Sequence, residues 1–388
     1  MKKHNRILFS LFFVLVFALA CEHDEPKYSY FIEGQLSATN NDWVIVQKLL
    51  PTGAIGVDSV QPDERGNFSL EIETSDSNEL FVLFVKKYPW RITLAMQNDE
   101  KAIINADAQY LHQTYSVSGS PRSQQLRKLA HSIESFSNYA DSIYFLFRNS
   151  SSDSLQHLSD SLLIQNQKDV HQFVRQFCIE NKNNLAGLVG LYSRYNNQLV
   201  LDYDADFDLF ETVWKSNSQT LGENVHVQSL GEFVEERRQI EIVRQETENN
   251  IALGKKLPTL ILPIQDGKII NTDSIGGKPL IVAFWKSTNK DSWKLNEALK
   301  EIRKTHNTNK LNIVSVSTDN DKVQWSNTIR LDNLEWFHAL CDPNYYQLFN
   351  LENHIPRVFV VDRQGIIISK DAHPDSLSTI VTRLMVEP

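Results

Sequence analysis

The chain has 388 residues, 41% of them hydrophobic and 10% aromatic, too long for one ordinary domain and too apolar for a disordered polymer. Its formal net charge of −9 excludes the concentrated basic surface that a grip on nucleic acid requires.

The first segment, MKKHNRILFSLFFVLVFALAC, sets Lys2, Lys3 and Arg6 ahead of an apolar run over 7–20. That run is shorter than the roughly 20 residues of a membrane span, so residues 1–20 read as an export signal. Its end, Ala18-Leu19-Ala20-Cys21, resembles a bacterial lipobox, in which cleavage precedes a cysteine carrying a diacylglycerol. The resemblance implies a membrane contact through a lipid anchor on Cys21. It also implies a cell-envelope location, at the outer membrane and facing the periplasm or the cell surface. The acidic run Glu22-His23-Asp24-Glu25 vaguely resembles the export tag of some surface lipoproteins. An ordinary signal followed by a coincidental cysteine is the alternative. Residues 21–27 then form a tether. The two later cysteines, Cys178 and Cys341, fall in different expected domains, and each is read as a small buried hydrophobe rather than half of a bridge.

Residues 28–120 break into short apolar runs separated by turn residues. DERGNFSLEIE shows the strand period best, with Phe68, Leu70 and Ile72 alternating after Gly66-Asn67. Several such strands without helices predict a β-sandwich-like domain or a small barrel. Trp43, Tyr88 and Trp90 are the aromatics to test there for glycan or peptide binding, although such residues more often belong to a core.

The period changes at Pro121. Leu126, Leu129, Ile133 and Phe136 recur at three- and four-residue spacing, as do Val170, Phe173, Val174 and Phe177. Residues 121–250 therefore form an α-helical middle segment, closing on the charged helix LGEFVEERRQIEIVRQETENN.

Residues 251–388 alternate β and α. LPTLILPIQDGKIINT reads as a hairpin turning at Asp266-Gly267, and KPLIVAFW as a strand buried on both faces. Helix, strand and helix follow, then the hairpin RVFVVDRQGIIISK and a terminal helix over 374–385. The expected class is α+β and multidomain.

On these motifs the last third of the chain, about residues 252–388, resembles the thioredoxin-fold modules of the TlpA/ResA and AhpC/TSA-like group. The D-G hairpin, the G-K before the central strand, the F-W strand end, HIPRVFVVDRQG and the closing helix fall in the family's order. The resemblance implies a thioredoxin-like domain, a thiol–disulfide activity and a cis-proline loop at Ile355-Pro356. In line with the family's C-x-x-C, however, stand Asn289-Lys290-Asp291-Ser292. Thiol–disulfide exchange needs a thiolate and a resolving sulfur. An amide cannot attack, and oxygen cannot carry the disulfide couple. What Ser287, Thr288, Asn289 and Asp291 can do is cap a helix.

Three readings of function follow. The favoured one is an envelope lipoprotein whose thioredoxin-like domain is redox-inactive and acts in binding or scaffolding. A protein or peptide would meet it near Trp285, Ile355, Pro356 and Arg357, since the resemblance implies that a client's extended segment pairs beside the cis-proline; the alternative is a proline that merely closes the turn into the next strand. The second is an oxidoreductase or peroxidase using Cys341 or Cys178. The third is glycan or peptide capture by the N-terminal β domain. No cofactor or metal is expected: His338, His354 and His373 have no metal spacing, and Asp319-Asn320-Asp321 lacks the other positions of a calcium loop. Ser287-x-x-Lys290 matches a penicillin-recognising signature without its companion motifs.

Overall fold

The computed structural model describes residues 27–150, 152–265, 267–275, 277–352 and 354–386. The signal segment, Cys21 and Asp266 lie outside these residues. The chain divides into two compact units, one ending at Glu235 and the other running from Glu236 onward.

Unit 1 begins with eight strands: β1 (Tyr28–Ser37), β2 (Val44–Leu50), β3 (Gly53–Val60), β4 (Asn67–Thr74), β5 (Asn78–Val85), β6 (Arg91–Gln97), β7 (Lys101–Asp107) and β8 (Ser116–Ser118), with the short helix α1 (Leu111–Thr114) before β8. They form two four-stranded sheets, ordered β4-β1-β7-β8 and β3-β2-β5-β6. A shared apolar core containing Tyr30, Ile32, Phe68, Leu70, Phe81 and Leu94 makes this the expected sandwich-like arrangement. β4 shows why the alternation works: Phe68, Leu70 and Ile72 are buried while Ser69, Glu71 and Glu73 face water. Its entry turn needs glycine. Gly66 sits at φ +82°, and a Cβ there would lie 2.0 Å from the carbonyl oxygen of Leu36.

Helices α2 (Pro121–Phe147), α3 (Asp153–Glu180), α4 (Leu185–Leu191), α5 (Phe207–Leu221) and the first part of α6 (Val225–Asn250) belong to the same unit, with the two-residue strands β9 (Arg194–Tyr195) and β10 (Gln198–Leu199) between α4 and α5. The sequence treats the β-rich and helical stretches as separate segments. In the structure they share a core, because Leu80 of β5 and Ala95 of β6 pack among the helical residues Leu126, Val174, Phe210 and Leu230. β5 is therefore buried along its whole length, between one sheet and a helical layer.

Unit 2 holds the remainder of α6, the hairpin β11 (Ile261–Pro263) and β12 (Ile269–Asn271), then β13 (Leu280–Trp285), α7 (Lys290–Thr305), β14 (Asn312–Ser317), α8 (Lys322–Leu331), β15 (Phe337–Leu340), α9 (Asn344–Leu348), β16 (Arg357–Val361), β17 (Ile367–Lys370) and α10 (Pro374–Val386). The sheet order is β15-β14-β13-β16-β17, with β13, β14 and β15 mutually parallel and β16 and β17 antiparallel. β15 is a strand that the sequence pattern did not single out. Ile281 and Ala283 face Leu295 and Leu299 of α7 and Leu377 of α10. Val282 and Phe284 face Phe349, Phe359 and Ile251 on the other side.

Both sheet edges are covered, which removes two open templates for pairing with another chain. The amide of Ile367 donates to the carbonyl of Lys255 at 2.8 Å, and that of Gln265 to His338 at 3.0 Å.

Candidate functional site

The elbow between β13 and α7 is built from local polar chemistry. The first turn of a helix leaves backbone N–H groups without intrahelical acceptors. Of the four expected caps, Asn289 is the one that serves, its side-chain oxygen accepting from the Ser292 amide at 2.9 Å. Its Nδ2 donates to the carbonyl of Ile355 at 3.3 Å, tying the helix start to the neighbouring loop, where the Ile355–Pro356 bond is cis as the resemblance implies.

Ser292 is fully buried, and its hydroxyl accepts from the Lys286 amide at 3.1 Å. Ser287 is not a cap. Its amide and hydroxyl donate to Asp319, at 3.0 and 2.8 Å, and Ser317 donates to the same carboxylate at 2.6 Å. Asp291 lies in the first turn and pairs with exposed Lys294, whose ammonium holds its carboxyl below the usual range.

The remaining site residues divide. Trp285 is fully buried among Trp325, Ile329 and Leu334, so it offers no face to a partner. Arg357 is likewise buried, at 2% exposure. A strand alternates its side chains, and Arg357 falls on the same sheet face as Phe359, under the end of α6. There its guanidinium donates to both oxygens of Glu248 at 2.8 Å, to the Phe349 carbonyl at 2.6 Å and to Asp371 at 3.1 Å. Glu248 also accepts from Asn350 at 2.8 Å and Lys370 at 2.7 Å. The Arg357 bond, first among these donors, holds the Glu248 carboxyl far below the ordinary carboxylate range. Only Ile355 and Pro356 of the four keep partial exposure, and beside the elbow Trp293 presents 46% of its surface, with its indole N–H bound to the Ser287 carbonyl at 2.6 Å.

Sequence reasoning weighed Asp319 only as part of a calcium loop, not as a partner of Ser287, and it missed Glu248. Asp319 follows directly on a buried strand, a position where a carboxylate can reach the next strand's end. Glu248 is one of many charges on α6 and carries no signal of its own.

The thiols lie elsewhere. Cys178 is buried, with its thiol pushed up to about 12 by desolvation. Cys341 follows β15 directly, and burial, aided by the Asp342 carboxylate, raises it likewise to about 12. Neither is poised as a nucleophile at neutral pH. His338 is buried and held neutral, lowered to about 4 by desolvation, with Nε2 3.1 Å from the Leu334 carbonyl. Among the described residues no cluster of histidine, cysteine and carboxylates could hold a metal, and no helix is long and apolar enough to cross a membrane.

In unit 1, among the described residues, no ring contact joins Trp43, Tyr88 and Trp90 to one another. Trp90 stacks on His112, with ring centroids 3.8 Å apart. The Tyr88 hydroxyl donates to the Ala38 carbonyl at 3.0 Å. Trp43 is part-exposed at the start of β2.

No curated protein matches the chain. Among solved structures it is similar to the C-terminal domain of a candidate thiol-disulfide oxidoreductase from Bacteroides thetaiotaomicron, at 24% identity, covering 36% of this chain and 99% of that one, with a TM-score of 0.34. It is also similar to the thioredoxin domain of a thiol-disulfide oxidoreductase from Bacteroides vulgatus, at 22% identity, 34% and 98% coverage and a TM-score of 0.33. A thiol-disulfide oxidoreductase from Bacteroides fragilis gives 20% identity, 34% and 99% coverage and a TM-score of 0.31. Residues 276–367 match the family model described as thioredoxin-like, and with the strand order above this makes unit 2 a thioredoxin-like domain.

Proposed function

We propose that the thioredoxin-like domain acts by contact and not by thiol–disulfide exchange, in a protein tethered to the cell envelope through Cys21. The observation that carries this reading is the chemistry of the elbow. Asn289 holds the helix start through an amide oxygen, and Ser292 holds the strand end through a hydroxyl. Neither atom can form or break a disulfide, and both already have structural partners. The raised thiols of Cys341 and Cys178 support the same reading, since a redox-active cysteine is normally lowered.

The contact surface is the exposed indole of Trp293 with Ile355 and Pro356, a protein or peptide partner being the natural occupant. The basic residues Lys2, Lys3 and Arg6, the apolar run and Cys21 support export, acylation and residence at the outer membrane, facing the periplasm or the surface.

Insulin reduction with dithiothreitol tests the central claim: the protein should leave the rate at background. Turnover above background that survives Cys341→Ser would overturn it. The double variant Asn289→Cys with Ser292→Cys should gain activity, because it restores the two sulfurs at a helix N-terminus that is otherwise intact. Loss of fatty-acid labelling in Cys21→Ser tests the anchor separately.

A further inference from the structure

A half-enclosed cleft of about 340 Å³ lies in unit 1 between α3 and the β9–β10 hairpin. Ile164, Gln167, Lys168 and His171 recur at three- and four-residue spacing, so one stripe of α3 contributes one side. Tyr195, Gln198, Leu199 and Val200 contribute the other. The hairpin is firmly placed. Asn196 and Asn197 both have positive φ, the conformation of a two-residue turn that matches strand twist. Buried Asn166 donates to the Tyr195 hydroxyl at 2.8 Å and to the Phe136 carbonyl at 3.1 Å. That bond uses the Tyr195 oxygen as acceptor, and its own hydrogen has no acceptor among the described residues.

The charges around the cleft are unevenly committed. His171 is fixed through Nε2, 2.9 and 3.0 Å from the two oxygens of buried Asp206. Asp206 also accepts from Arg175 and from the Asp202 amide at 2.8 Å, and Arg175 reaches Asp208 at 2.9 Å. Of this group only His171 lines the cleft, and its Nε2 is already committed to Asp206. Lys168, which does line the cleft, has no hydrogen bond or ion pair among the described residues, and no carboxylate lines it. The walls at Ile164, Leu199 and Val200 are aliphatic.

We infer that this cleft binds a small monocarboxylate with an aliphatic body. One free ammonium matches one negative charge, and a charge-assisted bond is about twice as strong as a neutral one. The Tyr195 hydroxyl supplies a second donor, and the aliphatic walls favour a ligand that removes them from water. A dianion such as phosphate would lack a second cation, and a neutral sugar would leave the ammonium unmatched. The inference stands independently of the reading given for the elbow.

Calorimetry and saturation-transfer NMR on the full chain test it with hexanoate, hexanamide and inorganic phosphate as probes. Hexanoate should bind about tenfold more tightly than hexanamide, and phosphate should not displace it. Lys168→Met, at an exposed site, should erase that preference while leaving the thermal midpoint unchanged. Leu199→Asp should weaken both probes through the lost aliphatic wall and hexanoate the more, since only the anion meets the new charge. Equal binding of hexanoate and hexanamide would overturn the inference, as would displacement by phosphate or a full preference surviving in Lys168→Met. So would no hexanoate binding up to about 50 mM, the weak end for so small a ligand.

Discussion

The elbow of unit 2 and the cleft of unit 1 are both small gatherings of polar side chains beside a helix, and they differ in what those side chains already do. At the elbow, Asn289 caps, Ser292 supports Lys286, Ser287 binds Asp319 and Arg357 binds Glu248. In the cleft, Lys168 and the Tyr195 proton have no such occupation, while the structural charge pair Arg175–Asp206 stands behind them. The contrast teaches that position in a familiar fold is a poor guide to chemistry unless the donors and acceptors there are still available.

The comparison breaks most visibly at Arg357. Arg357→Ala should destabilise unit 2 by about 3–5 kcal/mol, because removing one partner of a buried ion pair strands the other. Chemical denaturation followed by tryptophan fluorescence measures it. A loss under about 1 kcal/mol would mean that the arginine is not the structural clamp its bonds indicate.

The same clamp has a pH signature. Glu248 has its folded pKa depressed below the ordinary 4.5, so its contribution is fully present above pH 4.5 and is lost as pH falls through the lower folded value. Acid unfolding of Glu248→Gln should therefore be flatter than wild type below pH 4.5. An unchanged acid limb would remove Glu248 from the account.

A smaller effect sharpens the elbow. Asn289→Ala should cost about 1 kcal/mol, the ordinary worth of an N-cap, and Asn289→Asp should restore most of it, since a carboxylate also accepts from the Ser292 amide. The smallest effect is expected in the cleft. Lys168→Met should change stability by less than about 0.5 kcal/mol, as befits a side chain with no structural partner. A larger loss would make the two regions alike.

Much of unit 2 was legible in the sequence. A run such as LIVAFW, short and bounded by turn residues, fits a strand covered on both faces, and the alternation of β and α around it leaves few topologies. That Asn289 and Ser292, and no cysteine, stand at the start of the helix after LIVAFW was equally plain. Trp285 and Arg357 were misjudged as contact residues for one reason: a neighbour in sequence to an exposed loop can point to the opposite side of a sheet. The residue pattern did not mark β15 because FHAL is too short to show a period.

By itself the sequence determined the local conformations, a polar-capped helix start after the central strand and the absence of sulfur at the elbow, since these depend on residue type and near neighbours. Only the tertiary structure decided which polar groups are already satisfied, because those partners come from far along the chain: Glu248 to Arg357, Asp319 to Ser287, Asp206 to His171. A carboxylate's partner is set by packing and distance, and neither is written in the local pattern.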